Sequence, residues 1–220
     1  MDSNTQRNYR ESPLVDCYEF TPQELKLVEN QSVNGDSKLP SWPNEELRDL
    51  RGKIKRHYIA EQSNTCAYCK IENLSTNGNV WHTDHIICRH EEPKYTYTPL
   101  NLCASCIDCN TAKGSRPVTK KGYSAYKSFP NKSANYLIVH PHFDKYEDHI
   151  ETLVPGLTYR YMTSKGRNTI EICGLLRYCQ AGGRKQVDLS LKAVLMMAAD
   201  NQSKEVLQLV SEQINKKLLK

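Results

Sequence analysis

The sequence predicts an α+β chain, a small strand–loop–strand–helix core pinned by cysteines, with helical additions on its N- and C-terminal sides. Three observations carry that prediction. Two Cys-x-x-Cys pairs, Cys66-Ala-Tyr-Cys69 and Cys106-Ile-Asp-Cys109, bracket one stretch of chain. Within it, β-rich runs at 80–87 and 100–104 precede a short helix that stops at Gly114. On either side, apolar residues recur at helical spacing.

The elements follow in order. Residues 1–40 are polar and broken by Pro13, Pro22, Gly35 and Pro40. They leave room for one short helix, with Thr21 as N-cap, Pro22 in the first helical position and Glu24 closing a capping box. A firmer helix follows Pro43, with Glu45 and Glu46 in its first turn and Leu47, Leu50, Ile54 and Tyr58 on one face. Lys53, Lys55, Arg56 and His57 crowd its last turns; they suit the helix dipole and are read as solvated, not as a binding surface. In the core, Ser105 is the expected cap of the short helix, with Asp108 at its third position. Beyond it, 136–139 reads as a strand and 159–162 as another. Asn168 with Glu171 fits a helix start, and 169–172 fits a strand equally well. The tail from Val187 is helical, and Val206, Val210, Ile214 and Leu218 form an i, i+4 stripe. This divides the chain into a polar N-terminal segment and helix (1–60), a core (61–133) and a mixed, then helical, C-terminal region (134–220).

Of 220 residues, 38% are hydrophobic and 25% charged, enough for a folded core with polar ends. No apolar run approaches the roughly 20 residues of a membrane span, and the first residues lack a basic-then-apolar signal layout. A soluble, cytoplasmic protein is expected. The net charge of +5 points only weakly to a polyanion; its placement says more. Between Asp108 and Asp144 there is no acidic residue, while Lys113, Arg116, Lys120, Lys121, Lys127 and Lys132 all fall there, interleaved with Tyr123, Tyr126 and Phe129. Cations for phosphate and flat rings for bases are what a nucleic-acid groove needs, which makes Lys113, Arg116, Lys120 and Lys121 candidate substrate-binding residues. The competing reading is a solvated basic loop.

Nine cysteines, an odd number, argue against a disulfide framework. A two-residue gap lets both thiolates of a pair reach one ion at about 2.3 Å, so Cys66, Cys69, Cys106 and Cys109 are expected to hold one structural zinc. Cys103 is the alternative ligand. No Gly-x-x-x-x-Gly-Lys-Ser/Thr cradle is present, so nucleotide hydrolysis by that route is excluded.

Inside the bracketed stretch lie Trp81-His82-Thr83-Asp84-His85-Ile86-Ile87, Asn101-Leu102 and Cys109-Asn110-Thr111-Ala112-Lys113. Phosphodiester hydrolysis needs a base for water, a divalent cation on the phosphate oxygens, and cations for the flanking backbone. His85 suits the base, since imidazole titrates near neutrality. Asp84 and the Asn110 carbonyl offer hard oxygens to magnesium, and Lys113 lies one helical turn beyond Asn110. His82, three before His85, would turn away from it. His90, His140, His142 and His149 are read as solvated or hydrogen-bonding side chains.

These residues resemble the HNH endonuclease family, over roughly residues 60–116. The resemblance implies a ββα-metal fold with one catalytic magnesium or manganese. By position His85 is then the general base, Asp84 and Asn110 the metal ligands, and Asn101 the brace of the loop over His85. Cys88 stands where many members carry proline. Leu137-Ile138-Val139-His140-Pro141 with Asp144 and His149, then Lys165-Gly166 with Thr169-Ile170 and Gly174-Leu175-Leu176-Arg177, further resembles the PtuB nucleases. Those are subunits of Septu and retron-linked antiphage systems. That likeness implies a PtuA-like ATPase partner, together with a retron reverse transcriptase and its RNA–DNA. The rival class is a non-catalytic zinc-ribbon module that binds nucleic acid or protein, which has no need of a base beside two hard oxygen ligands.

Overall fold

A computed structural model of the chain describes residues 13–177 apart from 15, 31–41, 76, 123–124 and 157, together with 205, 208, 209 and 212. The first helix, α1 (Pro22–Asn30), carries the expected capping box. Glu24 N–H donates to Thr21 Oγ1 at 3.2 Å while Thr21 N–H donates to Glu24 Oε2 at 3.0 Å. A 3₁₀ turn at Glu45–Leu47, capped by the Asn44 side chain, leads into α2 (Arg48–Glu61). Leu47, Leu50, Ile54 and Tyr58 are buried, as their spacing requires.

Strands β1 (Trp81–His85) and β2 (Leu102–Cys106) pair antiparallel, from Trp81 opposite Cys106 to His85 opposite Leu102. Helix α2 packs across both strands. The outer edge of β2 is closed by a side chain. Ala104 N–H donates to Gln62 Oε1 and Ala104 O accepts from Gln62 Nε2, both at 2.7 Å, so a buried amide stands in for a neighbouring strand. Helix α3 (Ile107–Lys113) follows directly. Its cap is Cys106, whose sulfur accepts the Cys109 N–H, and not Ser105, which stays paired in β2 opposite His82. Gly114, at φ 49°, ends it in the left-handed region that glycine tolerates.

The C-terminal side is a hairpin, β3 (Ile150–Val154) with β4 (Thr158–Tyr161), followed by α4 (Ser164–Ile172). The open choice at 169–172 resolves as helix, beginning already at Ser164 behind a Thr163 cap. The expected strand at 136–139 does not form beyond a single bridge between Tyr136 and Thr119. Side chains capture its donors: Val139 N–H goes to Thr169 Oγ1 at 2.8 Å and His140 N–H to Asp144 Oδ2 at 2.6 Å. Strand β3 was not expected; a five-residue run gains its ladder only from β4.

Two tyrosine hydroxyls tie this half to the first cysteine pair. Tyr146 donates to Tyr68 O at 2.8 Å and Tyr159 to Cys69 O at 2.6 Å. The buried apolar residues form one cluster running from Leu14 to Leu175. No helix among the described residues is long and apolar enough to cross a membrane. The Val206, Val210, Ile214 and Leu218 stripe lies outside the described residues.

Candidate active site

The sulfurs of Cys66, Cys69, Cys106 and Cys109 lie within 4.8 Å of one another, and those of Cys69 and Cys106 are 3.8 Å apart. A tetrahedral ion with thiolate bonds of about 2.3 Å has edges of about 3.8 Å, so the four fit zinc and leave it no open position. Cys103 belongs elsewhere, buried in β2 against the Tyr68 hydroxyl. Four thiolates around a dication keep a net negative charge, and Arg177 meets it. Its Nη1 is 3.4 Å from Cys109 Sγ and its Nη2 3.6 Å from Cys106 Sγ.

Strand alternation puts His82 and Asp84 on one face of β1 and turns His85 to the other. Asp84 and Lys113 form an ion pair of 3.1 Å with each side chain only 2% exposed. The second Asp84 oxygen accepts the Tyr68 hydroxyl at 2.5 Å. The Lys113 ammonium spends its other donors on His85 O (2.9 Å) and Ile86 O (3.3 Å), where β1 leaves its ladder. Three donors therefore meet three protein acceptors, so the Lys113 ammonium is engaged by the protein where it lines the cleft, and a contact with substrate phosphate would require it to give one of them up. One turn earlier, Asn110 Nδ2 donates to His82 Nδ1 at 2.8 Å. That bond assigns the amide nitrogen to His82 and leaves the carbonyl Oδ1 for other use. Each Asp84 oxygen likewise keeps a lone pair beyond its present partner. The donor chemistry fits a hard divalent cation, which Asp84 and Asn110 would hold.

On the opposite face, His85 is 7% exposed, with the edge of Trp42 against it at a centroid distance of 4.5 Å. Burial, with Arg89 and Lys113 nearby, pushes the imidazole down to about 3, so it is neutral. Its Nε2 lies 3.1 Å from Thr96 O. A carbonyl only accepts, so Nε2 carries the hydrogen and Nδ1 carries the lone pair. Asn101, fully buried, holds the loop that presents Thr96. Its Nδ2 donates to Ile87 O and Tyr95 O, each at 3.1 Å, and its Oδ1 accepts the Ile87 N–H at 2.8 Å.

A hairpin and a helix thus bring together a neutral imidazole, a carboxylate, a carboxamide and a four-thiolate cluster. Residues 66–116 match the HNH endonuclease family model. No curated protein and no solved structure matches the chain. The HNH segment contains all four clustered cysteines with Asp84, His85, Asn101 and Asn110, and it comprises small antiparallel strands with helix. The family that this segment matches is one of endonucleases, whose members use divalent metals.

A cleft of about 1400 Å³ opens over the HNH segment, lined by His82, Asp84, His85 and Asn110 together with cations of α2. Arg116, Lys120 and Lys121 are not part of this lining. The Arg116 guanidinium instead donates to Glu171 O and Ile172 O, both at 3.2 Å, closing the last turn of α4. Lys120 and Lys121 are exposed away from the cleft. Sequence reasoning passed over four contributors. His82 was detectable, since period-2 alternation puts it on the Asp84 face. Tyr68, Trp42 and Arg177 were not: each reaches the site through contacts distant in sequence.

Proposed function

We propose that this chain is a divalent-cation-dependent endonuclease that hydrolyses phosphodiester bonds of DNA or RNA on a zinc-braced HNH fold. The observation that carries the reading is the state of His85. Its Nε2–H is fixed on Thr96 O, which makes Nδ1 the lone-pair nitrogen, and the residue lines a cleft shared with Asp84 and Asn110, where burial lowers its basicity and keeps the ring neutral. Nδ1 accepts a proton from water as the water oxygen bonds to phosphorus and the P–O bond to the leaving oxygen breaks. Magnesium or manganese held by Asp84 and Asn110 would supply charge stabilisation to the reacting phosphate. Asn101 acts through the loop, keeping Thr96 O where it selects the imidazole tautomer. Asp84 and Asn110 orient their oxygens from β1 and α3.

The test is cleavage of duplex DNA, single strands and structured RNA in magnesium and in manganese. His85→Ala should lower the rate about a hundredfold to ten-thousandfold with zinc content and fold retained, while the loss of a buried ring lowers the melting temperature. Equal cleavage by the variant, or full cleavage with the catalytic cation chelated, sinks the hydrolytic reading. A zinc module that only binds nucleic acid or protein then takes its place. The narrower proposal, an antiphage effector partnered by a PtuA-like ATPase, has the resemblance of residues 137–177 as its support. Co-purification with such an ATPase, and cleavage gained in its presence, is the measurement that decides it.

A further inference from the structure

We propose that the cleft-facing side of α2 is the docking surface for the substrate's phosphate backbone, with Lys55 and Arg56 of α2 and Arg89 after β1 as its contacts. The inference rests on the nuclease reading for the class of ligand, and on geometry for the place. Arg48, Gly52, Lys55 and Ile59 recur on one side of α2 and line the same cleft as His85 and Asn110, while Leu50, Ile54 and Tyr58 bury the other side. The basic residues that the sequence alone places in the last turns of α2 and reads as dipole complementarity fall mid-helix, and Lys53, Lys55 and Arg56 line the cleft of the hydrolytic groups.

Three features separate this surface from an ordinary solvated helix. First, most of the charge it presents to the cleft is uncompensated, Asp49 being the one acidic residue of α2 in the lining. Arg48 pairs with Glu45 and Lys53 with Glu24, both at 2.8 Å, but among the described residues Arg56 and Arg89 have no acidic partner within ion-pair distance. Lys55 gives one of its three donors to Gly78 O at 3.0 Å and keeps two. Second, Gly52 sits mid-helix, where glycine disfavours the helix and calls for a packing reason. A Cβ there would lie 3.2 Å from Arg56 Nη1, so the guanidinium folds back over a bare stretch of helix that a backbone phosphate can approach closely. Third, the cations come from two elements, α2 and the loop after β1, and His85 shares their cleft. A linear polyanion crossing the site meets positive charge from both. The acid-free stretch carrying Lys120 and Lys121 does not line this cleft.

The experiment is fluorescence anisotropy of the full chain, as His85→Ala, with labelled duplex DNA, single-stranded DNA and RNA over a salt series. The variant Lys55→Gln/Arg56→Gln/Arg89→Gln should weaken binding about tenfold or more. It should also flatten the slope of log affinity against log salt by about 0.7–0.9 per lost phosphate contact. Lys120→Gln/Lys121→Gln/Lys127→Gln should shift affinity less than about twofold. Arg56→Gln alone, at an exposed side chain, guards against misfolding and should itself lower the slope. An unchanged slope in the α2 variants, a loss confined to the Lys120 set, or no binding to any probe overturns the proposal. Cleavage by the wild type is scored separately. Binding through α2 without cleavage, both alone and with the ATPase partner present, sinks the nuclease reading alone, and cleavage with an unaltered slope sinks the docking surface alone.

Discussion

Lys113 shows how far one side chain's role depends on where its atoms end. Read from the chain it is a cation one turn beyond a metal-ligand candidate; in the fold it is a buried tie between α3, Asp84 and the end of β1. Lys113→Met leaves the Asp84 carboxylate buried without its counter-charge, a change that costs about 3–5 kcal/mol. Chemical denaturation should show that loss; a variant of unchanged stability with a flatter salt slope for nucleic-acid binding would restore the phosphate role. His82 moves in the opposite direction, from a residue set aside to a working one. Its Nδ1 holds the Asn110 amide, so His82→Ala should release the carbonyl oxygen from a fixed orientation. The half-saturating magnesium concentration should rise several-fold while the rate at saturating cation stays close to wild type. A metal titration of the rate settles this, and an unchanged half-point ends the positioning role. The pattern that places His82 beside Asp84 is plain strand alternation; the Asn110 contact needed α3 folded back onto β1.

Helix α4 meets β3 at a point that tolerates nothing larger than hydrogen. A Cβ at Gly166 would lie 2.0 Å from His149 O, a backbone atom that cannot swing aside. Gly166→Ala should therefore push α4 off the hairpin and destabilise the chain by about 1–3 kcal/mol, although alanine is the better helix former. A melting temperature equal to or above wild type would show that the two elements separate freely. Elements of this kind mark the limit of legibility. The capping box of α1, the buried stripe of α2, the strand–loop–strand–helix order and the cysteine cluster all rest on neighbours within a turn or on ligand spacing, and each was readable. The strand expected at 136–139 failed because side chains take the donors at its end, Val139 N–H going to Thr169, far along the chain, and His140 N–H to nearby Asp144. The basic stretch kept its charge but reaches the cleft only through Lys113, which is held there by Asp84 and the end of β1, while Arg116 turned to α4. Spacing specified which groups the site contains; which cations surround it was decided by the packing of α2 and the loop after β1.

For the molecule as a whole, two histidines of the C-terminal half, His140 and His142, set an acid limit on stability. His140 is fully buried between the rings of Tyr136 and Phe143, with its Nε2 lacking a hydrogen-bond partner. Burial, with His142 and Lys165 adding positive charge, holds it well below the usual imidazole range, and burial lowers His142 as well. Asp144 faces the His140 backbone and is already engaged by Lys165, Ser133 and the His140 N–H. In the unfolded chain both imidazoles take up protons near pH 6.5, whereas the folded chain keeps them neutral. The stabilisation is therefore complete above about pH 6.5 and declines as pH falls, by up to about 1.4 kcal/mol per pH unit for each histidine. Urea unfolding between pH 7.5 and 5.5, with zinc content followed in parallel so that loss of metal is scored separately, should show this limb. His140→Phe keeps the aromatic stack and removes one titrating group, so its limb should be shallower by up to about 1.4 kcal/mol per pH unit. An identical slope in that variant would show that His140 is protonated without penalty in the native fold.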